Sequence, residues 1–318
     1  MNIVVLDGYT LNPGDLSWQG LEKYGNLKVY DRTPKELILE RSKDAEIIYT
    51  NKTPLEEADI QQLPKLEFIG VLATGYDVVD VEYASREKIV VTNVPTYGTN
   101  SVAQMVFALL LEMCSHVQKH STLVREQDAW SQSKDCCFSI YPLMELDGKS
   151  MGIFGFGRIG RKTAQIAKAF GMKVLAYDPH GIRNPSPDYH YVGLDELFAE
   201  SDVISLHAPL TPETEGIICQ ANLNKMKKSA ILINTARGKL VVERDLAEAL
   251  NSGKIAGACL DVLSEEPPPP ENPLLHAKNC IITPHISWAT KEARSRLMNF
   301  AADNLKAFLD GNPTNVVN

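Results

Sequence analysis

Three glycines at fixed spacing, Gly155, Gly157 and Gly160, follow an apolar run over residues 151–154 and precede a helical pattern over residues 161–170. In such an arrangement the first glycine permits a tight turn and the second admits a pyrophosphate against the backbone. The third lets helix and strand pack closely, and the amides opening the helix face the negative charge. A lone G-x-G-x-x-G is weak evidence for this chemistry. Here a second apolar run, residues 173–177, ends in Asp178, an acid at about the ~20-residue interval where a carboxylate accepts hydrogen bonds from an adenosine ribose. Strand, glycines, helix, strand and acid together specify a dinucleotide site. A ribose 2′-phosphate would meet the Asp178 carboxylate, so NAD is expected over NADP. Arg183 nearby reads as a solvated loop arginine.

Further along, apolar runs end in polar residues: His207 after residues 203–206, Arg237 after 230–233, Asp261 after 255–260, and His285 after 280–282. In a parallel sheet these ends share one edge, the edge where open α/β sheets bind ligands. The planar fork of Arg237 suits a two-point carboxylate contact, with a structural salt bridge as the alternative. Glu266 precedes four prolines, residues 267–270, which hold the chain extended. Beside His285 such an acid would favour the protonated imidazole and fix its tautomer; the alternative is two unrelated loop residues. Earlier in the chain, Thr74, Gly75, Tyr76 and Asp77 follow the run 68–72, and residues 50–54, including Lys52, follow the run 45–49. Gly75 allows either an anion-binding nest of successive amides or simply a tight turn. His116 and His120 lie one helical turn apart without a third ligand, which reads as a solvated helix end, and no metal is expected.

These residues require a particular scaffold. Over residues 2–94, unbroken apolar runs alternate with polar, helix-compatible stretches, the pattern of a parallel sheet covered on both faces. A nearly all-apolar helix over residues 100–111 must be buried, between domains or between subunits. Residues 127–148 show no periodicity and read as an ordered loop bearing Trp130, Cys136 and Cys137. A long amphipathic helix over residues 289–309 can return to the first domain. The expectation is an α/β chain of two domains: a flavodoxin-like substrate domain of residues 1–98 plus 289–318, and an inserted Rossmann NAD-binding domain of residues 99–288.

The 318 residues suffice for two cores, and 44% hydrophobic with 23% charged residues is an ordinary globular composition. A net charge of −8 without a basic block gives no footprint for nucleic acid or for a membrane surface. The first residues form too short an apolar run for a signal peptide, so a cytoplasmic location is expected. The six cysteines show no metal-type or C-x-x-C spacing and read as structural or incidental.

Three segments behind the glycines, residues 234–238 (Asn-Thr-Ala-Arg-Gly), 261–267 (Asp-Val-Leu-Ser-Glu-Glu-Pro) and 283–286 (Thr-Pro-His-Ile), resemble the D-isomer-specific 2-hydroxyacid dehydrogenase family. The likeness covers essentially the whole chain, including Thr74 to Asp77. Within that family residues 7–10 and 285–290 most resemble glycerate dehydrogenases, also called hydroxypyruvate reductases. The resemblance implies reversible, NAD-dependent reduction of a short 2-oxo acid, hydroxypyruvate or glyoxylate. Arg237 would bind the substrate carboxylate, His285 would be the acid/base and Glu266 its partner. Thr74, Gly75 and Tyr76 would add backbone contacts to the substrate. Cofactor contacts are implied for Thr74, the three glycines, Arg158, Ile159 and Asp178. They are implied also for His207, Ala208, Thr235, Ala236, Arg237, Asp261 and His285, with Asp261 on the nicotinamide amide. Trp288 stands near a position where the family often has a small residue, and its bulk is expected to shape the pocket. The family and the apolar helix from Ser101 imply a homodimer. The same family includes 3-phosphoglycerate dehydrogenases, which would need cations beyond Lys52, and NADH-sensing transcriptional corepressors.

Overall fold

The computed structural model describes residues 1–181 and 183–318. They form two compact units, Met1–Gly98 with Trp288–Asn318, and Thr99–Ser287. Each carries its own parallel sheet.

In the first unit five strands, β1 (Asn2–Val5), β2 (Asn26–Val29), β3 (Ile47–Thr50), β4 (Phe68–Val71) and β5 (Val90–Thr92), lie in the order β2-β1-β3-β4-β5. Every residue of β3 and β4 is buried, as unbroken apolar runs covered on both faces require. One face is covered by the helix Lys291–Leu309, which buries Ala293, Leu297, Ala301 and Leu305 at four-residue spacing. The Tyr49 hydroxyl, fully enclosed on β3, donates to the Ala301 carbonyl at 3.0 Å. That helix begins two residues later than its apolar pattern, because Thr290 caps it by accepting from the Ala293 N–H. Trp288, expected in the inserted domain, belongs to the first unit and stands edge-on to Tyr97.

The strand order reverses between β1 and β3, where such sheets leave a ligand crevice. Here the chain fills it. The Asp7 carboxylate, just past β1, accepts the backbone N–H groups of Asn51 (2.8 Å), Lys52 (2.5 Å) and Thr53 (2.8 Å). Burial raises the pKa of Asp7, and the three amide bonds act against that rise. On the opposite edge, Val316 forms an antiparallel bridge with Thr92, and the Val317 N–H donates to Val91 at 2.9 Å. The last residues thereby cover the edge of β5.

The second unit has seven strands: β6 (Ser150–Phe154), β7 (Lys173–Tyr177), β8 (His190–Tyr191), β9 (Val203–Leu206), β10 (Ile231–Asn234), β11 (Gly257–Leu260) and β12 (Cys280–Ile282). Their order is β12-β11-β10-β9-β6-β7-β8. β8 has only two residues, too few for any periodicity to announce it. The chain leaves β6 toward β7 and later returns to β9 on its other side, so the crevice lies at the carboxyl ends of β6 and β9.

The apolar helix Thr99–Ser115 is buried inside this unit. Val106, Phe107, Leu110 and Met113 join a core that also holds Met151, Ile153 and Ala164. Its apolar face is thus satisfied within one chain, which removes it as an argument for a subunit contact. It stops at His116, which adopts a left-handed conformation (φ +49°), and a separate helix, Val117–Glu126, follows with no buried residue. The spacing of His116 and His120 therefore marks a break between helices. His120 Nδ1 pairs with the His116 carbonyl at 2.9 Å, and both rings stand against Tyr141. In the loop beyond, the Trp130 indole donates to the Cys136 carbonyl at 3.0 Å, and Cys136 and Cys137 are exposed.

Gly70 in the middle of β4 lies under the Tyr49 ring, which a Cβ would overlap. Gly70→Ala should destabilise the first unit by about 1–3 kcal/mol, the usual cost of overpacking a close-packed core. Denaturant unfolding followed by Tyr and Trp fluorescence measures this, and an unchanged midpoint would refute the packing argument.

Candidate active site

At the carboxyl end of β6 the chain turns at Gly155, whose φ of +97° suits glycine. A side chain there would also overlap the backbone of His207 and Ala208, so the turn lies directly on the loop after β9. Gly160 touches the Gly155 carbonyl, which sets the helix Arg158–Ala169 tight on the strand. A Cβ on Gly157, the N-cap, would meet no atom within 4 Å. The position is open as a pyrophosphate cradle must be. Arg158 and Ile159 form the first helical turn, Arg158 exposed and Ile159 half-buried.

Asp178 ends β7 with its carboxylate fixed: Oδ2 accepts the Phe156 N–H at 2.8 Å and Oδ1 the His180 N–H at 3.0 Å. The acid is thereby tied to the glycine turn itself. Arg161 stacks its guanidinium 4.7 Å from the Phe156 ring centre and donates to the carbonyl of the exposed Arg183. Across the crevice, Ala208 is buried and Ala236 half-buried. The Thr235 hydroxyl oxygen is buried with no partner among the described residues. Open cradle, oriented carboxylate and orphaned hydroxyl all fit a dinucleotide. His207 shares a 2.9 Å hydrogen bond between Nε2 and the Ser205 hydroxyl. Burial pushes its pKa down to about 3, so the ring is neutral near neutral pH.

Arg237 follows β10 in a turn clamped by Asn234, which has no exposed surface. Asn234 Oδ1 accepts the Ala236 N–H (3.0 Å), and its Nδ2 donates to the Arg237 carbonyl (2.9 Å). Arg237 is half-buried, with one guanidinium N–H on the Ala236 carbonyl at 2.9 Å. Gly238 then lies in contact with the backbone of Leu263 and Ser264, a space that no side chain could share. Three residues on, Glu266 Oε1 accepts the Leu263 N–H at 3.2 Å while its Oε2 lies 2.6 Å from His285 Nδ1. The Glu266–His285 pair therefore exists, and its reference frame includes the turn that carries Arg237.

His285 has φ +54°, a conformation costly for a side-chain-bearing residue. Asp261 holds it there. The Asp261 carbonyl accepts the His285 N–H at 2.8 Å. Its carboxylate takes the Thr283 hydroxyl (2.6 Å) and the N–H groups of Ile286 (2.9 Å) and Ser287 (2.8 Å). Asp261 has no exposed surface. The resemblance implies a contact of Asp261 with the nicotinamide amide; in the structure its carboxylate also shapes the His285 loop. Asn234, Gly238 and Thr283 stand in the family-like segments but carried no role of their own in the sequence. An Asn at a strand end, with its known taste for bonding a backbone two residues on, was the available signal.

In the first unit, Thr74, Gly75 and Tyr76 follow β4. The Thr74 hydroxyl donates to the Val94 carbonyl at 3.0 Å. Among the described residues the backbone N–H groups of Gly75 and Tyr76 donate to no acceptor. Lys52 is exposed on the loop after β3.

Residues 107–287 match the family described as D-isomer specific 2-hydroxyacid dehydrogenase, NAD binding domain. A hydroxypyruvate reductase of Blautia hydrogenotrophica is 57% identical over the whole of both chains. The chain belongs to the D-isomer specific 2-hydroxyacid dehydrogenase family. A glycerate dehydrogenase of Methylorubrum extorquens is 44% identical over 90% of this chain and 89% of its own. Among solved structures, D-lactate dehydrogenase from Aquifex aeolicus complexed with NAD and lactic acid superposes with a TM-score of 0.84. It is 31% identical, covering 98% of this chain and 96% of that one. As a family member the protein is an NAD-dependent oxidoreductase acting on 2-hydroxy and 2-oxo acids, with a two-unit fold that includes the Rossmann architecture. No helix among the described residues is long and apolar enough to cross a membrane.

Asp178→Ala should raise the KM for NADH about 10-fold to 100-fold, the worth of charge-assisted hydrogen bonds. The KM for NADPH should change less or improve. The ratio of kcat/KM for the two cofactors measures this; an unaltered ratio would remove Asp178 from ribose recognition.

Proposed function

We propose that this dehydrogenase reduces hydroxypyruvate, and glyoxylate second, with Arg237, Glu266 and His285 as its catalytic residues. The observation that carries the reading is the 2.6 Å Glu266–His285 pair, built on the same backbone contact that seats Arg237. Similarity to hydroxypyruvate reductase and glycerate dehydrogenase points to the same substrate.

When bound at the glycine cradle, NADH supplies the hydride that reduces the carbonyl carbon. The Arg237 fork binds the substrate carboxylate and steadies the developing alkoxide. His285 then gives that oxygen the proton from Nε2, because Nδ1 is held by Glu266. The carboxylate keeps the ring in one orientation and fixes which nitrogen faces the substrate. The amides of Gly75 and Tyr76, which donate to no acceptor among the described residues, would add backbone contacts to the substrate carboxylate. In the oxidative direction neutral His285 accepts the proton instead.

We further infer a homodimer, formed through the segment from Val117 to Leu143. Val117, Trp130, Ile140 and Leu143 are each more than half exposed there (62%, 54%, 51% and 61%), and exposed apolar groups on one segment mark an association surface. A cytoplasmic location fits the six unpaired thiols.

His285→Ala should lower kcat for hydroxypyruvate reduction by ~10²–10⁴. Turnover equal to the unaltered protein would end the assignment. Arg237→Lys should act chiefly on use of the 2-oxo acid, since an ammonium lacks the two-point fork. A panel with hydroxypyruvate, glyoxylate, pyruvate and 3-phosphohydroxypyruvate decides the substrate, and a preference for the phosphorylated acid would overturn this choice.

A further inference from the structure

The Thr74 to Tyr76 loop is tied to residues far along the chain. Asn93, just after β5, is buried, and its backbone N–H, its carbonyl and its side-chain Nδ2 each have a partner. Its Nδ2 donates to the Thr74 carbonyl at 2.7 Å. Its backbone N–H donates to the Asn315 carbonyl (3.1 Å), and its own carbonyl accepts from Asn304 Nδ2 at 2.9 Å. Asn304, 2% exposed on the helix Lys291–Leu309, completes a ring: its Oδ1 accepts Asn315 Nδ2 (2.7 Å) and the Thr314 hydroxyl (3.3 Å). The tail is held independently beyond this point. Asn318 Oδ1 accepts the Val91 N–H at 2.9 Å, and its Nδ2 reaches the Ile89 carbonyl at 2.7 Å. Asn315 sits in the left-handed region, φ +55°, which asparagine tolerates better than most residues.

We propose that Asn93 is a positioning residue for the substrate loop, and that the tail from Thr314 to Asn318 acts on that loop through it. The proposal rests on the reading that Gly75 and Tyr76 receive the substrate carboxylate. A short loop whose amides must converge on one anion has to be fixed from its carbonyl side as well. Ala73 is fixed by the Val94 N–H (2.9 Å) and Thr74 by Asn93 Nδ2, leaving the N–H side of the next two residues free to bind. Buried amide side chains bonded at both ends hold such geometry because any shift leaves a polar group unsatisfied. The loop therefore inherits its position from the sheet edge that the tail covers, 220 residues and more away in sequence.

Two substitutions test this in the full chain. Asn93→Ala deletes the bond to Thr74. Asn315→Ala deletes the contact with Asn304 and also opposes the left-handed conformation that the tail needs. Each should raise the KM for hydroxypyruvate about 5-fold to 20-fold, the worth of one or two buried hydrogen bonds. The pH dependence of kcat should stay as it is, since neither residue belongs to the unit of His285. Amide exchange at Val94, whose N–H donates to Ala73, should quicken in Asn315→Ala. Where Asn93→Ala does not fold, Asn93→Asp keeps the shape but sets an acceptor against the Thr74 carbonyl, and should raise the KM at least as far. An unchanged KM overturns the proposal, whether or not exchange quickens, because the contact is then packing alone. A raised KM in Asn93→Ala with none in Asn315→Ala overturns the role of the tail. Should the unaltered protein turn over no 2-oxo acid, the functional reading fails instead, and the exchange at Val94 still judges the strut.

Discussion

One carboxylate without exposed surface organises the chemistry of the second unit. Asp261 takes three hydrogen bonds from the 283–287 segment and offers its carbonyl to His285. A carboxyl group so enclosed is tolerable only when donors surround it, and here the donors are the loop that carries the proposed acid/base. The left-handed His285 is affordable because the residues on both sides of it are tied to the same acid. From β11 onward the site is thus a set of mutually dependent turns, in which Gly238 against Leu263 and Leu263 against Glu266 continue the chain of support to Arg237.

Much of this is legible in the sequence. The glycines, Asp178 and the polar residues ending apolar runs follow from strand periodicity and from the way parallel sheets gather strand ends on one edge, so the α/β class and the cofactor crevice could be read directly. Side-chain destinations could not. Asp261 looked like one more polar strand end, and only its neighbours in space show that the His285 loop surrounds it. The apolar body of the helix from Thr99 implies burial between domains or subunits; it is buried, but against the Arg158–Ala169 helix within its own unit, because composition says that a surface is covered and not by what. The left-handed His116 that ends it has no Gly or Pro to mark it, and β8 is shorter than one alternation. Asn93 and Asn304 were invisible because a lone Asn in an apolar stretch carries no signal until its partners, hundreds of residues apart in sequence, are known.

The two units solve opposite problems at homologous places. At its reversal point the second unit leaves a glycine without neighbours around its missing side chain and fixes an acid beside it. There the sheet waits for a ligand. At its own reversal point the first unit brings three amides together in the same fashion, then satisfies them with Asp7. The unpaired amides of that unit lie one strand farther over, after β4.

Asp7 has a consequence for how the enzyme meets its substrates. A short 2-oxo acid is little more than a carboxylate with a carbonyl attached, and any cluster of free amides at a strand end would attract it. The carboxylate of Asp7 satisfies the amides of residues 51–53 from within the chain, so those donors are closed to a substrate carboxylate.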